Sequence, residues 1–149
     1  MVWYFQQLAR RVGAERMQKY LDAAGYGNHT IGGAIDTFWL EGGLRISPDE
    51  QIEFLKKLYF ETLPFSTRSM QIVKKLLIIE QTGDYVLRAK TGTVSRFTPQ
   101  IGWWVGYVET KGNVFFFAAR ITSPNPGPDF AQARIDGTRQ LLKDVGALP

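Results

Sequence analysis

Tyr85-Val86-Leu87-Arg88-Ala89-Lys90-Thr91, Ile101-Gly102-Trp103-Trp104-Val105-Gly106-Tyr107-Val108-Glu109 and Asn113-Val114-Phe115-Phe116-Phe117-Ala118-Ala119-Arg120-Ile121 are the runs that decide the fold. Each is rich in β-branched and aromatic residues and reads as a strand. Thr110-Lys111-Gly112-Asn113 is a hairpin turn, so the last two strands pair antiparallel. Upstream, Thr82-Gly83-Asp84 marks where a helical period gives way to a strand period. Before it, residues 3–12 form a helix with Phe5, Leu8, Ala9 and Val12 on one face, and Gly13 breaks it. Ala14 to Ala24 resumes the period through Met17, Tyr20 and Leu21, with Gly25 as C-cap. Tyr26 to Ile46 is a long irregular stretch holding five glycines, a length that is functional or internally packed inside a domain. Ser47-Pro48-Asp49-Glu50 starts a helix that runs to about Phe60, with Ser47 as N-cap and Glu50 three residues on. A further helix spans roughly Ser66 to Ile79. Downstream, Pro124, Pro126 and Pro128 forbid regular structure before a last helix from about Asp129 to Val145. The sum is an α+β domain, an antiparallel three-stranded sheet with flanking helices.

At 149 residues the chain has room for a single domain with a real core, and 44% hydrophobic against 21% charged residues is globular composition. The net charge is +4, but the basic residues stand singly or in pairs (Arg10-Arg11, Lys56-Lys57, Lys74-Lys75) rather than in blocks. That pattern argues against a nucleic-acid surface and suits small anions such as carboxylates. Absence of cysteine excludes disulfides and thiolate metal sites. The single histidine, His29, rules out a histidine cluster for zinc, so no metal is expected. The longest apolar runs, Leu76 to Ile79 and Val114 to Ala119, are far too short to span a membrane. Met1 to Phe5 is apolar, but Gln6, Gln7, Arg10 and Arg11 interrupt it, so no signal peptide is read there. Either the chain is cytoplasmic or its natural beginning lies upstream.

Lys90-Thr91-Gly92, at the end of a strand and followed by Thr93, is the sharpest chemical signal. It offers an ammonium, a hydroxyl and a stretch of backbone without a side chain. A flat substrate can approach such an edge with its carboxylate on the Lys and Thr donors, and a backbone N–H beyond the glycine can face a developing oxyanion. The tripeptide occurs among penicillin-recognising enzymes. Taken alone, it reads first as an ordinary surface strand end.

Further segments fall in a matching order: Tyr26-Gly27-Asn28, then Phe38-Trp39-Leu40-Glu41-Gly42, then Leu44-Arg45-Ile46-Ser47, and Gly102-Trp103-Trp104-Val105-Gly106 after the Lys-Thr-Gly. Together they resemble the class D serine β-lactamases over essentially the whole chain, within a β-lactamase/transpeptidase-like fold. The resemblance implies that residues 1–149 are part of a single penicillin-recognising domain. It places Tyr26 and Asn28 on a motif bordering the active site, although a helix-terminating turn would explain them too. Trp39 is similar to the tryptophan whose indole N–H supports a carbamylated lysine, the general base; a core aromatic is the alternative. Leu40 is similar to the residue flanking that lysine. Lys90, Thr91 and Gly92 resemble the carboxylate-binding motif, and Thr93 the position that completes the oxyanion hole. Arg134 resembles the arginine that pairs with the substrate carboxylate, for which a guanidinium fork is suited; otherwise it is a solvated helix arginine. The implied function is hydrolysis of penicillin-type antibiotics through an acyl-enzyme in a periplasmic parent. The alternative is a β-lactam sensor or penicillin-binding domain that does not hydrolyse. No cofactor is implied within the chain.

The family mechanism needs Ser-x-x-Lys. The residues three before each lysine are Arg16, Glu53, Phe54, Gln71, Ile72, Leu87, Val108 and Gln140, none of them serine. Val2-Trp3-Tyr4-Phe5 resembles the residues that begin at the valine of the family's Ser-x-Val motif. The chain is therefore read as a carboxy-terminal portion, expected to be inactive alone because covalent catalysis has no nucleophile. Without the nucleophile's helix, Phe115 and Phe117 are expected to be exposed, and the open sheet edge is a candidate for self-association.

Overall fold

The computed structural model describes residues 2–41, 43–94 and 98–149, with the side chain of Glu41 outside that description. Six helices and four strands follow in the order α1 (Val2–Val12), α2 (Ala14–Ala24), α3 (Phe38–Glu41), α4 (Pro48–Tyr59), α5 (Thr67–Leu76), β1 (Ile78–Gln81), β2 (Tyr85–Val94), β3 (Gln100–Thr110), β4 (Val114–Ser123) and α6 (Phe130–Asp144). They form two compact units, residues 1–54 and 55–149, divided within α4.

In the first unit, Gly13 at φ +80° turns the chain between α1 and α2. Gly25, in the left-handed region at φ +61°, closes α2 through N–H bonds from Gly25 and Tyr26 back to Asp22 and Leu21. The irregular stretch expected after it holds the short α3. Its first turns are clamped by Asn28, whose Nδ2 donates to the Gly43 carbonyl at 3.0 Å and whose Oδ1 accepts from the Arg45 N–H at 3.0 Å. At α4 the Ser47–Glu50 capping box forms in both directions: Glu50 N–H donates to Ser47 Oγ at 3.2 Å, and Ser47 N–H donates to Glu50 Oε2 at 2.8 Å. The Ser47 N–H and then the Ser47 hydroxyl, both donating to Glu50 Oε2, hold that carboxyl below its ordinary value.

The second unit is a four-stranded antiparallel sheet in the order β1-β2-β3-β4, not the three-stranded sheet expected. The difference lies in Ile78 to Gln81. The apolar spacing of Val73, Leu76, Leu77 and Ile79 continues a helical period, but α5 stops at Leu76. The β-branched pair Ile78-Ile79 then turns back through Thr82–Tyr85 to pair with β2, Ile78 opposite Arg88 and Gln81 opposite Val86. Register is continuous across β2–β3 and β3–β4, so alternation assigns each side chain to a face. Leu87, Ala89, Trp104, Val108 and Phe117 face α6 and form the core with Leu142, Ala147 and Leu148.

Phe117 is only 8% exposed and Phe115 packs against that core, contrary to the exposure expected of them, because α6 covers this face. Exposed apolar side chains lie elsewhere, among them Val2, Trp3, Tyr4 and Phe5 on α1 and Phe60, Leu76, Leu141 and Val145. On the opposite face Tyr59 packs edge-on against Tyr107 at 5.4 Å and Phe116 at 5.7 Å. No helix is long and apolar enough to cross a membrane among the described residues.

A polar cluster ties β1 and β2 to α6: Glu80 accepts from the Tyr85 hydroxyl and pairs with the Arg139 guanidinium. The Tyr85 hydrogen bond, then Arg139, lowers the Glu80 carboxyl from its ordinary value. A depressed carboxylate contributes stability that is present above its unfolded pKa and lost as pH falls through the folded one. Urea midpoints measured down a pH series should therefore drop more steeply below the ordinary carboxylate range for the native chain than for Glu80→Gln. Parallel pH profiles would contradict this coupling.

Candidate active site

The register of β1 ends at Ile78 opposite Arg88, and the Ala89 N–H donates to the Leu77 carbonyl at 2.8 Å. Beyond this point β2 runs past its neighbour. Backbone groups of an antiparallel strand alternate between its two edges. Ala89 points outward, so the N–H and C=O groups of Thr91 and Thr93 emerge from the same edge. The Lys90 ammonium donates to the Thr91 carbonyl at 2.6 Å, where that edge is open. A strand end bearing Lys90-Thr91-Gly92-Thr93 thus extends past its pairing with β1, with backbone groups of Thr91 and Thr93 turned to the side that β1 leaves.

Side chains alternate as well. Thr91 and Thr93 share the α6 face with Leu87 and Ala89, while Lys90 and Gly92 lie on the other. Arg134, in the second turn of α6, reaches the first of these faces: its Nη1 donates to Thr93 Oγ1 at 2.8 Å. Arg134 is buried, at 7% exposure, and burial lowers its pKa from the ordinary arginine value. Its backbone carbonyl accepts from the buried Thr138 hydroxyl at 2.6 Å, which fixes this part of the helix. It is therefore not a solvated helix arginine. Lys90 and Arg134 start on opposite faces of the strand, and the long Lys90 stem brings its ammonium back to the edge.

The remaining candidates belong to the unit of residues 1–54. Tyr26 donates its hydroxyl to Gln51 Oε1 at 2.8 Å and stands edge-on to Phe54 at 4.7 Å. Burial pushes its pKa up to about 12, so it stays protonated at neutral pH. Gly27, at φ +55°, has no room for a side chain: a Cβ would lie 2.0 Å from the Arg45 carbonyl oxygen. Tyr26-Gly27-Asn28 therefore packs and clamps its own loop. Trp39, half-buried in α3, meets Phe38 edge-on at 5.0 Å and lines an apolar cleft with Phe5, Leu8, Val12 and Met17. Leu40, beside it, is half-buried.

The segment model described as the penicillin binding protein transpeptidase domain matches residues 1–143 of this chain. Beta-lactamase OXA-48 of Klebsiella pneumoniae is 48% identical over 146 residues, covering 97% of this chain and 54% of that protein. Among solved structures, the class D β-lactamase YbXI from Nostoc superposes with a TM-score of 0.93 at 51% identity, covering 99% of this chain and 62% of that one. The chain belongs to the class D β-lactamases of the transpeptidase family. A class D β-lactamase from Bacillus subtilis superposes at TM-score 0.88 with 38% identity, over 99% of this chain and 60% of that one. This class D chain spans about half the length of the curated relatives it matches.

One close neighbour of Arg134 was not singled out in the sequence. Gly102 is the cross-strand partner of Thr93, and a Cβ there would stand 3.3 Å from both Cδ and Nη1 of Arg134. The Gly102-Trp103-Trp104 segment stands out in the sequence, but only the register shows what its glycine lies beneath.

Proposed function

We propose that this chain supplies the substrate-recognition edge of a serine β-lactamase that hydrolyses penicillin-type antibiotics, the parent protein acting in the periplasm. On this reading residues 1–149 are part of one penicillin-recognising domain. The observation that carries it is the Arg134 guanidinium docked on Thr93 at the open end of β2, with the Lys90 ammonium on the same edge. A ligand carboxylate laid along Thr91 to Thr93 would meet a cation from each face of the strand and the Thr91 hydroxyl. The outward Thr93 N–H would face the lactam carbonyl oxygen as charge develops on it. In the unit of residues 1–54, Tyr26, Asn28, Trp39 and Leu40 are the positions that the resemblance would assign to recognition.

In the acyl-transfer reaction a serine hydroxyl adds to the lactam carbonyl, the C–N bond breaks and the ring nitrogen takes the proton. Water then releases the acid and restores the serine. This sequence has no Ser-x-x-Lys to start it. Its relatives are β-lactamases by name, which favours a hydrolase over a sensor.

The purified chain should bind benzylpenicillin in calorimetry, bind its methyl ester at least tenfold more weakly, and gain no mass on incubation, since about 1.5–3 kcal/mol rides on a charged hydrogen bond. Equal affinity for acid and ester would contradict carboxylate recognition. A stoichiometric covalent adduct would contradict the assignment of the nucleophile elsewhere.

A further inference from the structure

We propose that the cross-strand pair Thr93–Gly102 is a built seat for the Arg134 guanidinium, with the Thr93 side chain and the bare Gly102 acting as positioning residues for carboxylate recognition. The inference rests on the reading of Arg134 as a carboxylate ligand and deepens it.

Three observations converge on one guanidinium. The Thr93 hydroxyl accepts from Arg134 Nη1 at 2.8 Å. Directly opposite Thr93 in the ladder stands Gly102, and a Cβ there would crowd Arg134 Cδ and Nη1 at 3.3 Å and Ile121 Cγ1 at the same distance. Arg134 itself is almost fully buried, so its side chain has little freedom to find another route to the edge. One strand thus offers an acceptor that fixes the rotation of the guanidinium plane, and its neighbour offers the empty space in which the plane lies.

The hydroxyl works in two directions. Its oxygen accepts from the arginine, which leaves its own hydrogen to donate outward. The remaining guanidinium hydrogens keep a fixed direction instead of sampling rotamers, so less entropy is lost when an anion arrives. This role differs from the backbone role of Thr93: the N–H belongs to any residue at that position, whereas the hydroxyl is specific to Thr or Ser. The sequence shows the Thr without showing its partner, because Arg134 lies 41 residues away.

The test uses the full chain labelled with 15N-arginine, with the Arg134 signals assigned from Arg134→Lys. In the native chain and in Thr93→Ser, the hydrogen bond should slow guanidinium rotation and give two separate Nη signals. In Thr93→Val, which keeps the shape and removes the acceptor, they should merge. Gly102→Ala should shift the Arg134 signals because the added Cβ crowds Cδ and Nη1 by a few tenths of an ångström, while the melting temperature stays near native. Benzylpenicillin affinity should fall about tenfold in Thr93→Val and Gly102→Ala and be restored in Thr93→Ser, a charged hydrogen bond's worth of orientation. Since both changes act through one group, the double variant should lose less than the product of the two. Separate Nη signals persisting in Thr93→Val, or a Thr93→Ser variant as weak as Thr93→Val, would overturn the seat. If the Nη signals respond as expected but the native chain binds no benzylpenicillin, the seat stands as built and the carboxylate reading fails.

Discussion

Trp104→Ala is expected to destabilise the chain by about 3–5 kcal/mol, the range for truncating a buried large aromatic. Trp104 is 1% exposed, tilts against Phe117 at 5.0 Å between ring centres, and belongs to the cluster that α6 closes. It also sits directly opposite Thr91 in the ladder, so it supports the strand that carries the site. The surroundings cannot collapse easily into the gap. On one side, Gly106 is pressed so closely on β2 that a Cβ there would stand 2.1 Å from the Arg88 carbonyl oxygen. Against a total of about 5–15 kcal/mol for an ordinary domain, the loss is a large fraction of the whole. Urea unfolding followed by far-ultraviolet circular dichroism reads it. A loss below about 1 kcal/mol, the scale of a surface change, would mean that Trp104 is not the centre of this core.

Arg134→Ala should weaken benzylpenicillin binding by about ten- to a hundredfold, as expected when a charge-assisted hydrogen-bonding partner is removed from a largely desolvated site. Arg134→Lys should recover little, because an ammonium keeps the charge but cannot reproduce a planar fork that bonds Thr93 and a ligand together. The methyl ester should not distinguish these variants from the native chain. Calorimetry on acid and ester side by side therefore separates lost recognition from general damage. An Arg134→Ala chain that binds the acid as well as the native one would remove Arg134 from the site.

Much of this architecture is legible in the residues. Gly13 and Gly25 bracket α2 as their freedom in φ requires, Ser47 and Glu50 form the expected capping box, and the runs from Tyr85, Ile101 and Asn113 all become strands. β1 was hidden because Ile78 and Ile79 also continue a helical apolar period, and only pairing with β2 decides between the two. The protection of Phe115 and Phe117 was hidden for a different reason: the period of α6 shows that the helix exists, but not which face of the sheet it covers. At the site, Lys90 to Thr93 were legible as a tetrapeptide and Arg134 by resemblance. The Arg134–Thr93 contact and the clearance at Gly102 depend on register and on long-range packing, which no local pattern encodes. The hydrogen bonds of Tyr26 and Asn28 to Gln51, Gly43 and Arg45 span 15 to 25 residues and were likewise not legible in any local pattern.

The central claim, that the open end of β2 and the Arg134 guanidinium together receive a carboxylate, is tested most directly by titrating the 15N-labelled chain with benzylpenicillin and following each amide and the arginine side chains. The account predicts saturable shifts concentrated at Thr91, Thr93 and the Arg134 guanidinium, abolished when the antibiotic's carboxylate is esterified. Shifts that cluster away from β2 and α6, or that persist unchanged with the ester, would contradict it.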